Sequence, residues 1–303
     1  MRSIFLALII CGVAWFVSSP GALQAEASEE LPKIRALIVD GQNNHNWRGT
    51  TPALRTIMER SGRFTVDVAT APPGAGPELA TFKPNFADYD VIISNYNGAD
   101  WSPETMQAFE EYMKNGGGFV VYHAADNSFP NWEAFNLMIG LGGWNRDHLP
   151  ATAGRYLFWE DGKAVTSNEG RRRGNHGPQW AFLIEVRDTE HPITAGLPLA
   201  FRHARDELYD YMWGPAENVT ILATAYSDRE RGGNGRHEPQ LMTISYGEGR
   251  IFHTMFGHDV QQVMSVSFII TFLRGAEWAA TGKVTIPIPD DFPGTEEPTF
   301  REL

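Results

Sequence analysis

Short apolar runs, each closed by a turn residue and separated by segments of helical spacing, constrain this chain more than any other feature. Ile34-Arg35-Ala36-Leu37-Ile38-Val39-Asp40-Gly41 is the first. An apolar stretch with so few polar breaks suits a parallel strand covered on both faces. A helix is predicted from Thr51 to Arg60, with Pro52 in its first turn and Gly62 closing it. Phe64 to Thr70 alternates as a second strand, and Tyr89 to Asn95 reads as a third. Ser102-Pro103-Glu104 opens the next helix with a capping hydroxyl, a proline in the first turn and an acid at the positive end of the dipole. Gly116-Gly117-Gly118 stops that helix, and Phe119 to His123 is the fourth strand.

This rhythm implies an α/β fold: a doubly wound, mostly parallel sheet with helices on both faces. From Gly140 to about Trp180 the periodicity fails, and the segment reads as a long loop insertion over the site, with Arg171-Arg172-Arg173 as a solvated turn. Strands are predicted again at Ala181 to Val186 and Val219 to Ala225. Met242 to Tyr246 and Arg250 to Phe256 flank Gly247-Glu248-Gly249 as a hairpin. A last helix is expected from Val260 to Ala280, followed by a Pro- and acid-rich extended arm. The domain plan is then a signal peptide over 1–25, one domain over 26–285 and the arm over 286–303.

Arg2, the apolar stretch Ile4 to Val17 and small residues up to Ala25 have the form of a secretory signal peptide. Export to the periplasm or beyond the cell follows, with an uncleaved anchor as the alternative. The stretch is shorter than the roughly 20 residues of a membrane-spanning helix, and the mature chain offers no other span. Cys11, the only cysteine, lies inside this signal, so the mature chain has neither a disulfide nor a thiol nucleophile. The formal charge of −12 argues against a nucleic-acid partner, which needs a basic face. Nothing in the sequence excludes a homo-oligomer.

In a doubly wound sheet, ligands sit beyond the carboxyl ends of the strands. His45 follows the first strand, His123 ends the fourth, and His258 follows the strand Ile251 to Phe256. His148 closes Gly142-Gly143-Trp144-Asn145-Arg146-Asp147-His148, and Glu207 and Tyr209 lie in Asp206-Glu207-Leu208-Tyr209. A single strand-end histidine is usually structural. Several on one rim suit acid–base or metal chemistry, since imidazole titrates near neutrality and binds divalent ions. His45, Glu207 and His258 are the expected metal ligands, for zinc or manganese. His123 is the expected general base, with Asp259 orienting His258. Trp47, Trp101 and Trp144, with His148 and Tyr209, are the expected substrate contacts, because aromatic faces stack on sugar C–H surfaces. Ordinary core packing is the alternative for the three tryptophans. His176, His203, His237 and His253 receive no role. No serine-hydrolase elbow, dinucleotide fingerprint or phosphate-binding loop is present.

Taken in order, the Gly41-to-His45 turn, Tyr89-Asp90-Val91-Ile92, Gly116 through Ala125, Gly142 through His148, His191 through Pro198, Asp206 through Tyr209 and Gly249 through Asp259 resemble the ThuA-like (trehalose utilisation) family. The resemblance spans roughly residues 34 to 280. It implies a flavodoxin-like sheet similar to class I glutamine amidotransferases. In those relatives a nucleophilic cysteine occupies the elbow that here reads Val121-Tyr122-His123-Ala124-Ala125, so the amidotransferase mechanism is not implied. What is implied is work on a small carbohydrate: a hydrolase or lyase acting on a glycoside or keto-glycoside, with a metal-free, non-catalytic sugar-binding module as the alternative.

Overall fold

The structure, a computed structural model, describes residues 31–144, 154–169 and 174–303. The segment expected to be a signal peptide, His148 and Arg171-Arg172-Arg173 lie outside the described residues. Residues 32–303 form one compact unit.

The elements run β1 (Ile34–Asp40), α1 (Trp47–Arg60), β2 (Phe64–Thr70), β3 (Val91–Ser94), α2 (Pro103–Lys114), β4 (Gly118–Tyr122), α3 (Glu133–Ile139), β5 (Arg155–Glu160), β6 (Lys163–Ser167), β7 (Trp180–Val186), β8 (Ala200–Asp206), β9 (Trp213–Gly214), β10 (Val219–Tyr226), β11 (His237–Tyr246), β12 (Gly249–Thr254), α4 (Val260–Val263) and α5 (Val266–Thr281). The sheet order is β2-β1-β3-β4-β12-β11-β10-β7-β8, with β5, β6 and β9 branching from β11. The first five strands are parallel neighbours, which is the expected flavodoxin-like core. From β12 onward the pairing turns antiparallel, because hairpins rather than crossover helices connect that half.

The near-continuous apolar strands have a simple cause. Successive side chains of a strand point to opposite faces, and here both faces are covered. Ala36, Ile38, Val91, Ile93, Val120 and Tyr122 face a core built with α1 and α5. Their neighbours Leu37, Val39, Ile92, Phe119 and Val121 face a second core with α2 and α3.

Several elements depart from the sequence reading. Helix α1 starts at Trp47, capped by the Asn46 side chain on the Gly49 amide, so Pro52 sits inside it rather than in its first turn. The segment read as a long loop contains the β5–β6 hairpin, turned by Asp161 and Gly162, both at positive φ. The last helix is divided at Met264-Ser265. Ser265 caps α5 through the Phe268 amide, so the chain restarts with a fresh N-terminus instead of running on. No described helix is long and apolar enough to cross a membrane. The arm is extended, as expected; it pairs Ser265 with Phe300 and lays Arg301 on the Met264 carbonyl.

Candidate functional site

Four strand ends converge. The loop after β1 carries His45, β4 delivers His123, β8 ends at Asp206 and delivers Glu207, and the loop after β12 carries His258. One ligand atom from each of His45, His123, Glu207 and His258 lies within 4.8 Å of the others. Strand β8 is four places from β12 in sheet order, yet Asp206 Oδ2 accepts the Gly257 amide at 2.7 Å. The antiparallel half must therefore curl back over the carboxyl end of the parallel half, as the cumulative twist of a wide sheet allows.

Glu207 is the hub. Its Oε1 is 3.1 Å from His258 Nδ1, and its Oε2 is 3.5 Å from His123 Nε2 and 3.7 Å from His45 Nε2. The imidazoles of His45 and His258 meet edge to face at 4.7 Å. Burial alone would push the Glu207 carboxyl up. The imidazoles of His123, His258 and His45 around it outweigh burial and hold the group far below the usual carboxylate range. Burial lowers His45 below an ordinary histidine. His123 ends above one: burial opposes this, but Glu207 and the charge of Asp206 dominate.

The tautomer of His123 follows from its partners. Nδ1 lies 2.7 Å from the Met255 carbonyl, which only accepts, so Nδ1 carries the hydrogen. A neutral ring then presents its Nε2 lone pair, which has the Tyr209 hydroxyl at 3.0 Å as a donor and Glu207 Oε2 at 3.5 Å as an electron-rich neighbour. A proton or a cation at Nε2 would offset that second contact. Moreover, Glu207 Oε2 and His258 Nδ1 are buried atoms without a well-formed hydrogen bond. Around a tetrahedral ion with bonds of about 2.1 Å, ligand atoms stand roughly 3.4 Å apart. Glu207 Oε2 stands 3.5 and 3.7 Å from His123 and His45, near that value, and the four ligand atoms together lie within 4.8 Å of one another. Three imidazole nitrogens and one carboxylate oxygen are a donor set suited to zinc or manganese.

His123 is also the backbone outlier of the site. It leaves β4 with φ of 46°, a conformation costing a non-glycine residue roughly 1–2 kcal/mol. Tyr209 packs beside it, with its hydroxyl 3.0 Å from Nε2.

His45, Glu207 and His258 line a cleft of about 880 Å³, while His123 is buried and does not line it. The cleft wall includes the side chains of Asn44, Asn97, Asn127 and Asn175, with Trp144 and Met212 supplying apolar surface. Amides donate and accept at once, which matches hydroxyl-rich ligands. Trp144 is itself nearly buried, its indole N–H held by the Ser128 carbonyl.

The structure brings His45, His123, Glu207 and His258 together, and places Trp144 and Tyr209 on the cleft wall. It does not do so for every expected residue. Trp101 is buried in an aromatic cluster with Phe86, Phe109, Phe129 and Trp132. A loop side chain next to so many rings gains more from the core than from the rim. Trp47 is the first residue of α1, with Arg48 over its ring, and does not line the cleft. Asp259 lines the cleft, but no hydrogen bond from it to the His258 side chain occurs among the described residues. Its Oδ1 caps α4 at the Val260 amide and accepts from Asn46, because the helix begins at the very next residue. His176, given no role from sequence, lines the cleft with Nδ1 3.7 Å from Glu207 Oε1. No pattern in the surrounding sequence marks it. The backbone pairing of Asn175 with Asp210 is what brings its segment to the site.

The ThuA family, described as trehalose utilisation, matches residues 35–279. The chain belongs to the ThuA family. A ThuA-like protein from Parabacteroides merdae is 45% identical, with a TM-score of 0.84 over 89% of this chain and 98% of that one. A second ThuA-like protein, from Bacteroides uniformis, is 21% identical with a TM-score of 0.57 over 85% and 95% of the two chains, and shows the shared fold. Among curated proteins none matches.

Proposed function

We propose that this ThuA protein is an exported carbohydrate-processing enzyme, a hydrolase or lyase of a glycoside or keto-glycoside, whose His45, His123, Glu207 and His258 hold a divalent cation. The observation that carries the proposal is the meeting of three imidazoles and one carboxylate within 4.8 Å at the floor of an amide-lined cleft. A bound zinc or manganese ion would polarise a substrate oxygen or make a bound water more acidic. The protein's own part is binding and proton handling. Glu207, held ionised by its histidines, supplies the negative charge that retains a cation. His123 is buried, with Nδ1 fixed on the Met255 carbonyl, and its Nε2 would take the cation in exchange for the Tyr209 hydroxyl contact. His176 is half exposed at the cleft, and its Nδ1 lies 2.7 Å from the Gly177 carbonyl. That contact fixes the hydrogen on Nδ1 and leaves Nε2 to exchange a proton with a ligand. The asparagine amides would orient sugar hydroxyls, and Trp144 would offer apolar surface to the C–H face of a sugar.

The test is elemental analysis of the purified protein beside a His45→Ala/His258→Ala variant. Near-stoichiometric zinc or manganese in the wild type, lost in the variant, supports the proposal. A wild type that holds no divalent ion even after dialysis against excess zinc or manganese would sink the metal-assisted reading. A metal-free sugar-binding module would then take its place.

A further inference from the structure

We propose that Asp206, which faces away from the cleft, is the positioning residue of the site, setting the spacing of Glu207 and His258 before any ligand arrives. Its carboxylate is fully buried and accepts from four donors. Oδ1 takes the backbone N–H of Glu207 at 2.8 Å and of His258 at 3.2 Å. Oδ2 takes the backbone N–H of Gly257 at 2.7 Å and His203 Nε2 at 3.0 Å. One side chain therefore ties the end of β8 to the loop after β12, at the two backbone positions whose side chains approach each other at 3.1 Å. A carboxylate with all its acceptor positions filled by buried donors is a rigid spacer.

The support continues outward. His203 stacks on Phe256 at 3.9 Å and reaches Ser267 Oγ on α5 at 2.8 Å through Nδ1. Serine, histidine and aspartate are thus connected in series, as in a hydrolase triad. Here every member is buried, and the terminal carboxylate addresses backbone amides of the site. The chain of bonds is a brace running from α5 to Glu207 and His258. Gly257, at φ of 108°, bends the loop so that successive amides point at Asp206. Tyr122 holds the same loop from the other side through the Gly257 carbonyl.

This inference rests on the cation reading of the cluster, and its test separates the two. Zinc and manganese affinities of the apo protein are measured by calorimetry for wild type, Asp206→Asn, His203→Ala, His203→Gln and Ser267→Ala, each checked for folding by circular dichroism. Asparagine keeps one acceptor and turns an NH2 toward two donors. Asp206→Asn is expected to bind at least about ten-fold more weakly, the size of effect typical for groups that orient metal ligands. Ser267→Ala should lower the melting temperature but leave affinity unchanged, since all four bonds to Asp206 survive. Should Asp206→Asn not fold, the histidine pair carries the question: alanine weakens binding, and glutamine, which still donates to Oδ2, restores it. Wild-type affinity in Asp206→Asn, or losses that track melting temperature alike in all variants, would overturn the role. If the wild type binds neither cation, the metal reading fails. The imidazole 15N shifts of His258 then decide: a changed Nδ1 shift in Asp206→Asn keeps the positioning role, and an identical spectrum removes it.

Discussion

Replacing Glu238 by glutamine should abolish a stability loss that the wild type suffers as pH rises from mildly acid to mildly alkaline. Glu238 lies in β11 and is 3% exposed. Burial first, and then the nearby charge of Asp210, push its carboxyl up to about 8 from an ordinary 4.5, against the hydrogen bond from Asn234. The native state therefore keeps the proton near neutrality while the unfolded chain releases it. Stability from this group is complete below pH 4.5 and is lost as pH rises toward 8. One proton of difference gives a slope of about 1.4 kcal/mol per pH unit, so about 2.7 kcal/mol disappears between pH 5.5 and 7.5. The full span from 4.5 to about 8 corresponds to roughly 5 kcal/mol. Glutamine is neutral, nearly isosteric and still accepts from Asn234. The assay is urea unfolding of wild type and Glu238→Gln at pH 5.5, 6.5 and 7.5, with the difference in unfolding free energy taken at each pH so that shared titrations cancel. The variant should gain on the wild type steadily with pH. A difference that stays constant across that range would refute the reasoning, because it would mean Glu238 is ionised in the native protein throughout.

Two further perturbations probe the site and its foundation. Glu207→Gln removes the charge that three histidines surround, so zinc or manganese affinity should fall by at least about ten-fold while the fold survives; calorimetry with the apo protein checks it, and undiminished affinity would contradict the ligand assignment. Gly275→Ala, inside α5, gains about 1 kcal/mol of helix propensity but sets a methyl 2.0 Å from the Phe252 ring. Overpacking of about 1–3 kcal/mol at so rigid a neighbour wins, and a lowered urea midpoint is expected; a raised one would mean that β12 and α5 can separate freely.

The parallel half of the fold was legible because both of its periodicities are undisturbed. Strands β1, β3 and β4 are short, apolar and bounded by glycine or by Asp and Asn, so their ends could be located, and His45 and His123 came with them. His258 followed from the β11–β12 hairpin, whose turn is marked by glycine. The β5–β6 hairpin carries an Asp-Gly turn, but Tyr156 to Trp159 run without alternation and β6 is short and mostly exposed, so no period-2 pattern marks the pair. The capping role of Asp259 has a local cause. An aspartate directly before a helical segment is a capping residue by default, and Val260 opens α4. Trp101 shows a different limit. Its place after β3 could be inferred, but whether a loop side chain turns outward or into Phe109 and Phe129 depends on partners distant in sequence. Glu207 was found from its motif, whereas the curling of β8 back to β12, which places it among the histidines, has no sequence signature.

The backbone at His123 has one more consequence. A φ of 46° suits a residue without a Cβ, yet an imidazole stands there. Glycine at that position would relax the main chain and delete the side chain in a single step. Pressure for a sturdier protein and pressure for a working one therefore pull this codon in opposite directions. A lineage that no longer needed the chemistry would be free to surrender this histidine early, and glycine is the residue expected to replace it.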